Sequence, residues 1–327
     1  MSVPEPAEVL RSDLAAHPAV RAWRTSHPCA RCPDSIQVVK REEKSTVYRL
    51  VGAGPAGSPL IVKRCLPEAG RLERTVYEEI LPRVPVTSLQ YYGFVDDGGG
   101  RAWLFLEDAG GEKYSPEDPS HRTLAGRWLG VLHTCAAHLA PTASLPDRGP
   151  PYYLGRLRAA RATLTSGLGN PLLGAAEIGD IRAVIAGCDL LESRWSRVEE
   201  ACAGVPATLV HGDFRNKNVR LRAGPSGPAV LPMDWEHAGL GVPAADLTRI
   251  DPIAYRSAVQ ERWPQVGSAT LLRLADVGRI FLRLAAIDWI SPWFGYDSRV
   301  LLLKPIEHLA VHRAQLALEL EAAGLAR

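Results

Sequence analysis

The stretch that most constrains this chain runs from Leu209 to Asp246. It reads LVHGDFRNKNVRL, then a short gap rich in Gly and Pro, then VLPMDWEHAGLGVPAAD. Two short runs rich in branched residues, Asn218 to Arg222 and Val230 to Met233, flank Ala-Gly-Pro-Ser-Gly-Pro at 223–228, a combination that predicts a hairpin. A hairpin returns the chain to where it left. Asn218 at the entry and Asp234 at the exit are therefore expected side by side, with Asp213 on the loop just before them.

That grouping has a chemistry. An Asn and an Asp supply the hard oxygen donors that Mg²⁺ takes alongside waters and phosphate oxygens. A second carboxylate a few residues upstream is free to orient an attacking hydroxyl. These are the parts of phosphoryl transfer, in which positioning and charge neutralisation do most of the work. His211-Gly212-Asp213, Asn218, Asp234-Trp235-Glu236, Gly241, Pro243 and Asp246-Leu247, in this order and spacing, resemble the signature of the aminoglycoside phosphotransferase and choline kinase-like family of small-molecule kinases. HGD alone does not separate a base from a turn-forming Asp; HGD and DWE on either side of a hairpin do. The resemblance implies an α+β, bilobal, protein-kinase-like fold. A small antiparallel-sheet N-lobe that binds nucleotide would cover residues 1–107, and a larger, mainly helical C-lobe with the catalytic and acceptor-binding parts would cover 108–327.

Composition removes several other classes. A chain of 327 residues can build two lobes with cores of their own. Basic residues number 38 and acidic ones 36, with ten of each in 235–327, so neither a basic face for nucleic acid nor a globally acidic site for a polycation is indicated. No run approaches about 18 apolar residues, and MSVPEPAEVLRSD lacks a signal-peptide core, so neither membrane nor secretion is expected. The six cysteines follow no framework and read as reduced thiols of a cytoplasmic protein, a monomer or homodimer; Cys29-Ala-Arg-Cys32 is a CxxC without a second pair.

Taken in order, residues 1–34 read as an amphipathic helix with Val9, Leu10, Leu14, Val20 and Trp23 on one face. Ile36–Val39 and Thr46–Val51 read as antiparallel strands joined by a charged tip, Lys40 to Ser45. The tip would face phosphates in a kinase lobe, but it has no glycine, which leaves the hydroxyls of Ser45 and Thr46 as candidate contacts. Gly52-Ala-Gly-Pro-Ala-Gly57 matches the GxGxxG of flavin and nicotinamide enzymes, the rival class. That fingerprint needs a helix to start within it, because the pyrophosphate sits on the helix N-terminus. Here Leu60-Ile-Val-Lys63 reads as a strand instead. The segment 71–81 is helical, with Leu72, Val76 and Ile80 on one face. Ser88–Phe94 and Ala102–Leu106 read as further strands. Helices are expected at 122–139, 154–168, 175–203, 252–262, 268–289 and 300–323, with another beginning at Asp246-Leu247 and a short strand at 208–210.

The resemblance implies roles for these parts. Asp213 accepts or orients the acceptor's hydroxyl proton, and Asn218 and Asp234 hold Mg²⁺ on the phosphates of ATP or GTP. Lys63, paired with Glu73 on the following helix, grips the α and β phosphates, with Glu78 or Glu79 as alternatives to Glu73. Leu106 lines the adenine pocket, and the backbone of Glu107 and Ala109 meets the base. Arg215 stabilises the transferring charge, His211 braces the loop, and Asp246 holds it through hydrogen bonds. His133 reads as structural. Asp288, Trp289, Trp293 and Asp297, together with Glu236, suit recognition of a hydroxylated acceptor such as an antibiotic or a sugar-like metabolite, in resistance or biosynthesis; ordinary helix-end packing explains the same composition. A catalytically silent pseudokinase is disfavoured because Lys63, Asp213, Asn218 and Asp234 are all present. A protein kinase is disfavoured because Ala-Pro-Glu and a long activation loop are missing.

Overall fold

The computed structural model describes residues 8–139, 144–224 and 227–326. Its N-terminal part is an antiparallel sheet of six strands: β1 (Glu8–Leu10), β2 (Ser35–Arg41), β3 (Thr46–Val51), β4 (Leu60–Cys65), β5 (Tyr91–Asp96) and β6 (Ala102–Glu107), in the order β1-β2-β3-β4-β6-β5. Branched and aromatic residues recur at alternate positions along the central strands, so each offers an apolar row to at least one face. One face, with Ile36, Leu50, Leu60, Val62 and Phe105, packs against Ala19, Val20 and Trp23 of helix α1 (Pro18–Ser26). Leu104 and Leu106 belong to the other face, where they join Val76, Tyr77 and Ile80 in the large core of the chain. Each such buried side chain contributes about 1.5–3 kcal/mol.

The expected helix over 1–34 is not what residues 8–34 form; residues 1–7 lie outside the described residues. Val9 and Leu10 sit in an edge strand, paired with Gln37 and Ile36. A turn of 3₁₀ helix at Leu14–Ala16 follows, and α1 begins only at Pro18, where His17 Nδ1 accepts the Ala19 N–H at 3.2 Å. Proline suits the first turn of a helix but cannot continue one. The open edge of β2 then offers Val9 and Leu10 a ladder that helical periodicity does not reveal.

Gly52 to Gly57 forms the connection between β3 and β4, with a 3₁₀ turn at Pro55–Gly57 and no helix starting within it. The dinucleotide fingerprint is therefore literal only. Helix α2 (Pro67–Thr75) runs on into a π turn at Val76–Ile80.

Beyond the sheet the chain is mainly helical. Helices α3 (Pro119–Ala136), α4 (Pro150–Gly167), α5 (Ala175–Ser193) and α6 (Trp195–Cys202) precede the segment from Leu209 to Asp246, and α7 (Pro252–Val259), α8 (Ser268–Ile290) and α9 (Arg299–Ala322) follow it. The single helix expected over 175–203 breaks at Arg194, whose backbone is non-helical (φ −118°, ψ 16°). Asp246 and Leu247 lie inside a 3₁₀ stretch, Pro243–Arg249, rather than at a helix start. Helix α8 passes so close to this stretch that a Cβ on Gly278 would run into the Ala244 carbonyl oxygen. Tyr153 of α4 stacks on Phe281 of α8 at 3.9 Å.

Between the helices lie two small sheets. Strand β7 (Glu112–Lys113) joins the hairpin of β9 (Val219–Arg222) and β10 (Ala229–Pro232), and β8 (Thr208–Val210) pairs with β11 (Gly239–Gly241). The hairpin stands where it was expected, with Val219 opposite Pro232; residues 225–226 of its turn lie outside the described residues. Among the described residues no helix is long and apolar enough to cross a membrane. All six cysteines are free thiols, Cys29 and Cys32 included.

Candidate active site

The loop after β8 is anchored from below. Asp246 is wholly buried, and its two oxygens accept the N–H groups of His211 (2.7 Å) and Gly212 (2.9 Å). The His133 ring completes this anchor, with Nε2 at 3.3 Å from Asp246 and Nδ1 at 3.0 Å from the Tyr255 hydroxyl. Burial alone would raise the Asp246 carboxyl; the hydrogen bond and charge of His133, with the His211 amide, carry it below the ordinary range. Gly212 turns the chain with φ +74°, and a Cβ there would stand 2.5 Å from the His237 carbonyl oxygen, so only glycine fits. His211 places Nε2 3.0 Å from the Met233 carbonyl while Nδ1 accepts the Asp213 N–H at 3.3 Å. It ties the loop to the end of the hairpin.

Asp213 is buried and surrounded by donors. Asn218 Nδ2 donates to its Oδ2 at 2.8 Å and to its carbonyl at 3.1 Å; Arg215 pairs with its Oδ1, and Lys217 Nζ stands 3.4 Å from Oδ2. With its nitrogen used on Asp213, Asn218 retains its amide oxygen. Asp234 has a left-handed backbone (φ +67°), a conformation Asp tolerates better than most residues and one common at functional sites. One of its oxygens bonds Lys63. Burial would raise its carboxyl, but the charge and hydrogen bond of Lys63 bring it down to about 2. An amide oxygen and a firmly ionised carboxylate, brought to one end of the hairpin, are a hard donor set that fits Mg²⁺.

Lys63 projects from β4 into a cluster of carboxylates. Its Nζ lies 2.6 Å from Glu73 Oε1 on α2, bonds Asp234, and stands 3.5 Å from Glu236 Oε2. Burial disfavours its charge, but the three carboxylates hold its pKa well above the usual lysine value. Complete burial moves Glu73 the other way: it pushes the carboxyl up to about 7 against the pull of Lys63. Glu73 is thus a weaker acid than Asp234. Oxygens of Glu73, Asp234 and Glu236 approach within 4.8 Å of one another, yet the Lys63 ammonium contacts all three, so this is a lysine site and not a vacant metal cage. Glu78 and Glu79 do not take part; Glu78 pairs with Arg74 at 2.8 Å.

At the sheet's lower edge, Leu106 is buried in a cross-strand row with Ile61, Arg49 and Gln37. The Glu107 N–H is donated to the Gln90 carbonyl at 2.8 Å, and its side chain pairs with Arg222. Ala109 is buried. Arg49 donates to Asp108 at 2.6 Å and to Gln37 at 3.2 Å, which ties β3 to the segment after β6. Sequence reading missed this pair, because only the cross-strand register brings Arg49 to Asp108. Ser45 is buried and Thr46 half-buried at the tip of β2 and β3.

The acceptor candidates divide. Glu236 lies against Lys63. Asp288 belongs to the last turns of α8 rather than a loop, and it pairs with Arg156. Tyr152 carries the guanidinium groups of both Arg148 (4.3 Å) and Arg156 (5.2 Å), and Arg148 Nε donates to the His237 carbonyl at 3.0 Å. These contacts lead from His237, just after the hairpin, to Asp288, and sequence reading singled out none of Arg148, Tyr152 or Arg156. Trp289 is 61% exposed on the same helix. Trp293 packs near Tyr296 at 5.2 Å and Asp297 is exposed; no side-chain hydrogen bond or ring contact among the described residues joins either to the catalytic loop.

Comparison with known proteins gives the family and the fold. The model of the phosphotransferase enzyme family matches residues 35–280. No curated protein matches the sequence. Solved structures share the fold across nearly the whole chain. A microcompartment-associated aminopropanol kinase superposes with a TM-score of 0.63 at 17% identity, over 94% of this chain and 98% of its own. For the GDP and kanamycin complex of an aminoglycoside phosphotransferase the values are 0.60 and 15%, over 90% and 97%. An ethanolamine kinase from Plasmodium vivax gives 0.58 and 14%, over 88% and 84%.

Proposed function

This chain belongs to the phosphotransferase enzyme family and is a small-molecule kinase; from that premise we propose that it moves the γ-phosphate of ATP or GTP, with Mg²⁺, to a hydroxyl of a small molecule. The observation that carries the reading is Lys63, whose ammonium joins Glu73 of α2 to Asp234 at the end of the hairpin. It links the sheet to the catalytic segment at the level where phosphates would lie between the lobes, 1–107 and 108–327.

The roles follow from the contacts. Lys63 grips the α and β phosphates, steadied by Glu73. Asn218 and Asp234 would hold Mg²⁺, which neutralises charge on the phosphate oxygens when bound. Leu106 and the backbone of Glu107 and Ala109 receive the base, and Ser45 and Thr46 lie above the phosphates. Asp213, oriented by Asn218, takes the proton of the acceptor hydroxyl as its oxygen bonds to the γ phosphorus and the bridging P–O bond to the β phosphate breaks. Arg215 offers its charge to the transferring group. Asp246 and His211 hold the loop and touch neither reactant. Glu236 and the rim from Arg148 to Asp288 and Trp289 face the acceptor, an antibiotic or sugar-like metabolite being the favoured class. The six free thiols suit the cytoplasm.

Asp213→Asn tests the assignment. Turnover, followed as ADP release against a panel of hydroxylated acceptors, is expected to fall by about 10²–10⁴-fold, the usual worth of a positioned base, while nucleotide affinity stays within about twofold. Unchanged turnover would remove Asp213 from the reaction.

A further inference from the structure

Strand β2 carries one residue more than its partner needs. The pairing runs Val38 with Tyr48 and then Lys40 with Val47, so Val39 is left without a partner and forms a β-bulge. Along an uninterrupted strand the faces alternate. Ile36 and Val38 are buried on one side; Gln37 belongs to the other, and Val39 would come next on it. The bulge cancels that alternation. Val39 is 43% exposed, and Lys40 takes its place on the Gln37 face.

The register across the sheet identifies that face. Lys40 stands opposite Val47, and Val47 opposite Lys63. Directly opposed residues in antiparallel strands project to the same side. Lys40 therefore shares the face of Lys63, two strand spacings or about 10 Å away, on the side where Asp234 lies. Among the described residues the Lys40 ammonium pairs with Glu42 at 3.0 Å, the two side chains being 36% and 61% exposed. Such a pair is weak and readily exchanged for a stronger anion.

We propose that Lys40 is a second phosphate ligand, aimed by the Val39 bulge at the terminal phosphates of the nucleoside triphosphate and standing in for the backbone amides of a glycine-rich tip. The inference rests on the nucleotide-kinase reading. Glu42 occupies the ammonium until phosphate displaces it.

Calorimetric titration of the full chain with Mg-ATP and with adenosine, and with Mg-GTP and guanosine in parallel, tests it. Lys40→Ala is expected to raise the triphosphate Kd about tenfold to a hundredfold, the range of one charge-assisted contact, and to leave nucleoside affinity within about twofold of wild type. The exchange Val39→Lys/Lys40→Val keeps charge and composition but moves the ammonium to the outward bulge position, and it should lose as much. Glu42→Gln removes the competitor and should tighten triphosphate binding. Wild-type triphosphate affinity in Lys40→Ala and in the exchange overturns the inference and leaves the kinase reading intact. Equal losses for nucleoside and triphosphate overturn it as well, since they place Lys40 at the base. If the wild-type chain binds neither triphosphate, the kinase reading itself fails.

Discussion

Asp246 shows how one side chain holds the catalytic loop. Two backbone N–H groups and the His133 ring point at a carboxylate that water does not reach. Removing it leaves those donors unpaired, and Asp246→Ala is expected to cost about 3–5 kcal/mol of stability at neutral pH. The pH dependence has a definite sign. The folded carboxyl titrates below its ordinary range, so its contribution is present above the ordinary carboxylate pKa and is lost as pH falls through the folded value. Urea midpoints of wild type and variant should keep their gap from pH 7 down to the ordinary carboxylate range and close as pH falls below it; a gap that stays constant there would contradict the charge-based account. The residue types at this scale were legible: HGD, Asn218, DWE and Asp246 stand in one stretch. Their partners were not. His133 reads as a lone histidine because Asp246 and Tyr255 lie 113 and 122 residues away.

Among the elements, the hairpin and the strands around Lys63 were legible because alternating branched residues and turn chemistry are local signals. The N-terminal segment was not, since Val9 and Leu10 satisfy a helical pattern and a strand pattern equally until an edge is available. The break at Arg194 was likewise invisible within a continuous helical pattern. Contact between elements also gives a test. Helix α8 lies against the stretch Pro243–Arg249 at a separation that Gly278 alone permits. Gly278→Ala would raise the intrinsic helix preference by about 1 kcal/mol, but the added methyl meets backbone, which cannot rotate away. The clash should outweigh the gain by about 1–3 kcal/mol, lower the melting temperature, and reduce turnover by shifting Asp246. An increase in melting temperature would show that the two elements can separate at little cost.

At the scale of the whole molecule, the site exists only where sheet and hairpin meet. Lys63 reaches Glu73 across 10 residues of chain and Asp234 across 171. A ligand that touches both parts binds the folded chain alone, so Mg-nucleotide at about 100 times its Kd should add about 2.7 kcal/mol of stability and raise the melting temperature by several degrees. Asp234→Ala should abolish that rise, and a wild-type shift in the variant would count against the metal assignment. The sequence by itself determined the catalytic segment and the class of chemistry it suits, because Asp213, Asn218 and Asp234 lie within the span of one hairpin, whose local geometry follows from residue type. Only the tertiary structure decided which of the candidate acids meets Lys63, that His133 and Tyr255 complete the loop's anchor, and which way Lys40 points. Those depend on register, on a single bulged residue, and on contacts between elements far apart in the chain, where no local preference of the residues specifies the partner.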